Sequence, residues 1–194
     1  MCNPTEEDRM PFVERPEAHK IYSNFINPEL CDEAIDYVNS FEKKMKKTPY
    51  NCKVFTSDHI TYNILNDTKL QKLHLHILSH MQNYMTLSES YYDGFIEKSW
   101  FNVYYEDFYQ EFHVHMDPLY RAFCGILYLT DSPESATEFY LHDRISIEPE
   151  KGKIVIFPDY VEHRAAPNNS SEKRITMAFN YRKCNIWRGV HNNG

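Results

Sequence analysis

The sequence predicts a mainly β domain carried on N-terminal helices, folded as a sandwich, jelly roll or small barrel. Three observations lead there. Two stretches with a 3.6-residue apolar period lie before about residue 95. After about residue 97, eight short aromatic or β-branched runs follow one another. Turn residues separate most of these runs, such as Asp131-Ser132-Pro133 and Lys151-Gly152. Gly is scarce (5) and Tyr abundant (15), a balance that suits aromatic strand faces.

The first helix is expected in NPELCDEAIDYVNSFEKKM, where Leu30, Ala34, Val38, Phe41 and Met45 form one stripe. Asn27 is its N-cap and Pro28 its first residue. The lysines of EKKMKK at 42–47 then sit at the helix end, where cations favour the dipole. Lys53–Asn66 could add a strand. The second helix, in DTKLQKLHLHILSHMQNYM, carries Leu70, Leu73, Ile77, Met81 and Tyr84, with Asp67 as cap. The eight strands are SWFNVYY, EFHVHM, AFCGILYLT, TEFYLH, ISIEP, KIVIF, EHRAA and RITMAFNYR. One domain over residues 1–194 follows, with a helical support at about 20–95, a β core at about 97–183 and tails expected to be flexible.

The net charge of −7 carries no basic stripe, so no nucleic-acid partner is expected. The start, MCNPTEEDRM, lacks a signal-peptide pattern, and no apolar run reaches membrane-spanning length. Five scattered cysteines without a CxxC pair read as reduced thiols. A soluble, cytoplasmic protein without a membrane partner is expected; its oligomeric state is left open.

The stretch EFHVHMD at 111–117 alternates potential ligands, His113, His115 and Asp117, with Val114 and Met116. On a strand these three share one face, and an i, i+2 pair can grip a metal from one side. A further ligand must come from a neighbouring strand, and His163, behind KIVIFPDYVEH, is the candidate. Two histidines and a carboxylate form the facial triad that suits non-haem Fe(II). Alone, the stretch reads more readily as a histidine-bearing surface or core strand than as a metal site.

Arg174 changes that balance. Arg174, Thr176, Ala178 and Asn180 share one face of the last strand; Ile175, Met177, Phe179 and Tyr181 share the other and should pack into the core of the sheet stack. An arginine on the small, polar face either meets water or lines a cavity, where a planar carboxylate is its best partner.

His115-Met116-Asp117, His163 and Arg174 together resemble the HxD…H…R signature of the Fe(II)/2-oxoglutarate-dependent dioxygenases. WFNVYYEDFYQEFHVHMD and VIFPDYVEHRAAPNNSSEKRITMAFNY look most like the prolyl-hydroxylase-like branch, and the resemblance covers about residues 98–182. It implies a double-stranded β-helix (a jelly roll or cupin-like barrel) with Fe(II) on His115, Asp117 and His163. It further implies Arg174 on the distal carboxylate of 2-oxoglutarate. O2 is the co-reactant and ascorbate an optional addition. The implied reaction oxidises 2-oxoglutarate to succinate and CO2 while removing hydrogen from an unactivated C–H bond. Asp117, where halogenating members carry a small residue, favours hydroxylation. Tyr128 and Thr176 are implied as further 2-oxoglutarate contacts, and Asn102 and Tyr104 as pocket residues on the preceding strand. His113 and Asn180 are expected beside substrate or behind the ligands. The implied substrate is a peptidyl residue, proline among the candidates, or a small amino-acid-like molecule. Residues 51–66 and the turn at 106–110 are the segments expected to select it.

His76 and His80, at i and i+4 on the second helix, lack an acidic companion and read as exposed. His142 reads as a strand end. The main rival is a cupin-type metal- or ligand-binding barrel, in which His113-x-His115 and Gly152-x5-Pro158 with His163 would be the motifs. It would make His113 a ligand and needs no Arg174. A catalytically dead β-barrel is the third reading and leaves the ligand set unexplained.

Overall fold

A computed structural model describes residues 21–48, 52–88, 93–115, 122–141 and 143–184 of the chain. Asp117 and His142 lie outside the described residues. Eleven strands form two antiparallel sheets. In chain order they are β1 (Tyr22–Phe25), β2 (Lys46–Lys47), β3 (Phe55–Thr56), β4 (Gly94–Tyr104), β5 (Gln110–His113) and β6 (Ala122–Tyr128). β7 (Thr137–Tyr140), β8 (Arg144–Ile147), β9 (Lys153–Pro158), β10 (Glu162–Ala165) and β11 (Arg174–Lys183) complete the set. The large sheet runs β1-β9-β6-β11-β4-β3-β2 and the small one β5-β10-β7-β8. This is the expected mainly β jelly roll with N-terminal helices, and all eight expected runs contain a strand. Residues 53–66 contribute β3.

Helix α1 (Pro28–Asn39) starts where expected: the Asn27 side chain accepts from the Glu29 amide at 3.0 Å, and Pro28 opens the first turn. It ends earlier than the apolar stripe suggests. Ser40 closes it through bonds to the last carbonyls, a 3-10 turn follows at Glu42–Lys44, and Lys46–Lys47 form an exposed strand. The lysine cluster is therefore not a helix end; Asn39-Ser40 are weak helix formers and the chain turns there. Helix α2 (Gln71–Leu87) buries Leu73, Ile77, Met81 and Tyr84. Asp67 caps not α2 itself but the 3-10 turn Thr68–Leu70 that leads into it, accepting from the Lys69 amide at 2.9 Å. Asp67 also accepts from the Tyr37 hydroxyl at 2.6 Å, which ties the two helical layers together.

Both helices cover one face of the large sheet. Leu30, Ala34, Val38, Leu73, Ile77 and Met81 share a single core with Ile175, Met177, Phe179 and Tyr181 of β11. The bulky face of β11 thus packs under the helices and not between the sheets. A smaller core of Cys124, Tyr128, Phe139, Val155, Phe157 and Val161 fills the gap between the sheets. On the helical side Gly125 is obligatory, because an added Cβ would lie 2.0 Å from the Phe179 ring. Gly152 has φ 85°, a left-handed turn residue, and its carbonyl accepts from the Ile26 amide at 2.7 Å, anchoring the end of β1.

Candidate active site

The pocket face of β11 runs from Arg174 to Asn180, and register gives it layers. Arg174 pairs with Tyr104; Thr176 with Asn102 and Tyr128; Ala178 with Trp100 and Ile126; Asn180 with Lys98 and Cys124. Arg174 and Thr176 are buried, and Asn180 is half-buried, so this face deepens towards Arg174. The small sheet supplies the opposite wall, with His163 of β10 directly across from His113 of β5.

Three imidazoles meet at the shallow end. Nitrogens of His113, His115 and His163 all lie within 4.8 Å of one another, and no other such group occurs among the described residues. Ring centroids are 5.0 Å apart for His113–His115, 4.3 Å for His113–His163 and 5.2 Å for His115–His163. β5 ends at His113. His115 stands two residues past it, held by its amide to the Asp159 carbonyl at 3.0 Å. Each ring is oriented through Nδ1. His163 Nδ1 meets the Val161 carbonyl at 3.0 Å, His115 Nδ1 the Asn180 Oδ1 at 3.0 Å, and His113 Nδ1 the Glu111 carbonyl at 2.8 Å. An oxygen acceptor at Nδ1 puts the proton there and turns the Nε2 lone pair towards the cluster, the arrangement metal-bound histidines use.

The rings differ at Nε2. That of His113 faces the Gln110 amide nitrogen at 3.4 Å, while Gln110 Oε1 accepts from the Tyr104 hydroxyl at 3.1 Å. The other two have no such partner among the described residues. Burial, and then the neighbouring rings, hold His163 well below the usual histidine range and His115 down to about 4, while burial alone lowers His113. All three are neutral near pH 7, the form that binds metal.

Arg174 closes the deep end and is 1% exposed. Its Nη1 donates to the Ser135 carbonyl at 2.7 Å and to the Ser135 hydroxyl, and its guanidinium lies 4.1 Å from the Tyr104 ring centroid. Nε and Nη2 have no partner among the described residues, nor does the buried hydroxyl of Tyr128 on the adjacent strand β6. Each buried, unsatisfied polar group costs about 1–3 kcal/mol. Two orphaned donors of one fixed fork beside a hydroxyl match a carboxylate, an acceptor-only group with two oxygens. Burial lowers the Arg174 pKa, and such a partner would restore it.

The expected cavity residues Asn102, Tyr104, Arg174 and Thr176 therefore line one space together with His113, His115 and His163. Asn180 acts behind His115 rather than on the cavity. His80 departs from its exposed reading, since its Nδ1 lies 3.0 Å from the Tyr22 hydroxyl. Two contributors were not foreseen. Trp100 stacks on His115 with centroids 5.8 Å apart and planes 13° off parallel. Its place beside Asn102 and Tyr104 on the same strand face was the available signal. Ser135, the Arg174 partner, sits in a turn that reads as punctuation only.

Residues 128–180 match the protein family described as "Putative 2OG-Fe(II) oxygenase", a span that holds Tyr128, His163 and Arg174. No curated protein sequence matches the chain. Among solved structures, a Pseudomonas putida prolyl-4-hydroxylase superposes with TM-score 0.66 at 13% identity, over 85% of this chain and 92% of that one. The viral collagen prolyl hydroxylase of Paramecium Bursaria Chlorella virus-1, solved with 2-oxoglutarate, gives 0.63 at 15% identity, over 86% and 96%. The epimerase SnoN of nogalamycin biosynthesis, an α-ketoglutarate-dependent enzyme, gives 0.66 at 10% identity, over 86% and 79%.

Family match and fold point the same way: residues 128–180 match a 2OG-Fe(II) oxygenase family, and the fold is one that 2-oxoglutarate-dependent enzymes share. Among these structures the two prolyl hydroxylases share the fold over most of their own length.

Proposed function

We propose that the enzyme hydroxylates an unactivated C–H bond of a peptidyl residue, proline among the candidates, or of an amino-acid-like molecule, releasing succinate and CO2. His115, Asp117 and His163 hold Fe(II). Arg174 takes the distal carboxylate of 2-oxoglutarate through Nε and Nη2, with Tyr128 and Thr176 beside it. Asn102 and Tyr104 line the channel between the two ends. Asn180 fixes the His115 tautomer. His113, its Nε2 facing Gln110, borders the metal without ligating it. When bound, iron and 2-oxoglutarate supply O2 activation coupled to decarboxylation; the surrounding side chains orient, exclude water and select.

One observation carries this reading: a buried guanidinium with two orphaned donors ends a cavity that begins at converging imidazoles. The peptidyl or small-molecule substrate class rests on the prolyl hydroxylases and the epimerase that share the fold. With Fe(II) under anaerobic conditions, adding 2-oxoglutarate should raise a visible metal-to-ligand charge-transfer band. A protein that holds stoichiometric iron and shows no band contradicts the assignment.

The third imidazole favours one alternative, a cupin-like site in which His113 is itself a ligand. His113→Ala separates the two. Retained iron stoichiometry is expected here, and its loss would establish the cupin-like arrangement.

A further inference from the structure

Beside Trp100, which lines the cavity, a small charged bracket lies over two aromatic rings. Lys98 precedes Trp100 on the same face of β4, directly across from Asn180, which orients His115. Its ammonium lies 5.2 Å from the centroid of the Trp100 ring that stacks on His115, and 6.0 Å from that of Tyr62. Opposite stands Asp58, in the segment after β3 that runs beside β4 and bridges to it through Asn63 and Ser99. Asp58 Oδ2 is 3.9 Å from Lys98 Nζ, too long for a hydrogen bond, and the side chains are 41% and 30% exposed. His59 Nδ1 lies 3.8 Å from Asp58 Oδ1, the Tyr62 hydroxyl is hydrogen-bonded to Glu97, and the Lys98 charge is felt at His115. The two charges thus face each other without a hydrogen bond between them, and Asp58 lies in the 51–66 segment expected to select substrate.

We infer that Lys98 and Asp58 form a substrate subsite for a free amino acid, Lys98 taking the α-carboxylate and Asp58 the α-ammonium. Trp100 and Tyr62 pack against the body of the ligand. The bracket is neutral as a unit, which matches a zwitterion. A dianion such as phosphate would gain one ammonium and meet the Asp58 carboxylate, and a capped peptide would leave both charges without a partner. This subsite rests on the oxygenase reading and narrows its substrate class.

The test uses the full chain with Fe(II) and 2-oxoglutarate and reads succinate release. Three probes are compared: a mixture of the proteinogenic L-amino acids, the same mixture as α-amides, and a library of N-acetylated, C-amidated peptides. Stimulation by the free amino acids and not by their amides is expected. Lys98→Met should raise the half-stimulating concentration at least about tenfold, the loss of one charge-assisted bond, and Lys98→Arg should recover part of it. Asp58→Asn, on an exposed segment, carries the same test should Lys98→Met fold poorly, and should weaken stimulation by free amino acids. Stimulation by capped peptides instead, by no probe at all, or a half-stimulating concentration unmoved in both variants would overturn the subsite. The charge-transfer band needs no substrate, so it judges the oxygenase reading separately.

Discussion

The two faces of β11 are built from alternate residues of one strand, yet they solve opposite problems. On the helical side Ile175, Met177, Phe179 and Tyr181 are buried among other apolar groups and leave nothing unsatisfied. On the sheet side Arg174 and Thr176 are buried too, but there burial strands two guanidinium nitrogens next to the unpartnered Tyr128 hydroxyl. Burial on one side is a source of stability; on the other it is stored demand for a ligand. The period of two keeps them apart, so the pocket can be polar without opening the core.

Substitutions on the two faces should therefore separate stability from ligand binding. The largest loss of stability is expected from Phe179→Ala, at about 3–5 kcal/mol in denaturant unfolding, since a fully buried ring leaves a cavity beside Gly125. Arg174→Met should do the reverse. It should weaken 2-oxoglutarate about a hundredfold or more, read from the charge-transfer band, as expected for charged hydrogen bonds worth about 1.5–3 kcal/mol each. The metal- and cosubstrate-free protein should melt no lower, because the lost guanidinium was only partly satisfied. A matched drop in melting temperature and affinity would erase the distinction between the faces.

The smallest expected effect lies at the edge of the helical layer. The Tyr37 hydroxyl bond and the Lys69 amide hold Asp67 below the ordinary aspartate value. A carboxylate depressed in the folded state adds stability above its unfolded pKa, and that stability is lost as pH falls through its folded pKa. Asp67→Asn should therefore lower stability at neutral pH and flatten this part of the acid dependence. An unchanged acid profile would show that the Tyr37–Asp67 tie contributes nothing.

How far these features could be read in advance depends on their range. Alternation and turn residues are local, and all eight expected strands contain one. His115, His163 and Arg174 could be singled out because their residue types and order form one pattern; the structure brings them to one cavity and adds His113 to the imidazole cluster. What alternation cannot tell is which neighbour covers a face, so the bulky side of β11 was assigned to the sheet stack and lies under the helices. Long-range partners were also hidden. Ser135 is 39 residues from the Arg174 it binds, and Tyr22 is 58 from His80. The strand Tyr22–Phe25 is mostly exposed and gives no periodic signal of its own.

The deepening of β11 from Asn180 to Arg174 also imposes an itinerary. On the proposed reading the dicarboxylate would sit beyond the imidazoles and the second ligand at Lys98 and Trp100, before them. The cosubstrate would then have to arrive first. An excess of the second ligand would then cork the entrance and slow turnover when 2-oxoglutarate is scarce. Initial-rate kinetics should show that inhibition fading as 2-oxoglutarate rises.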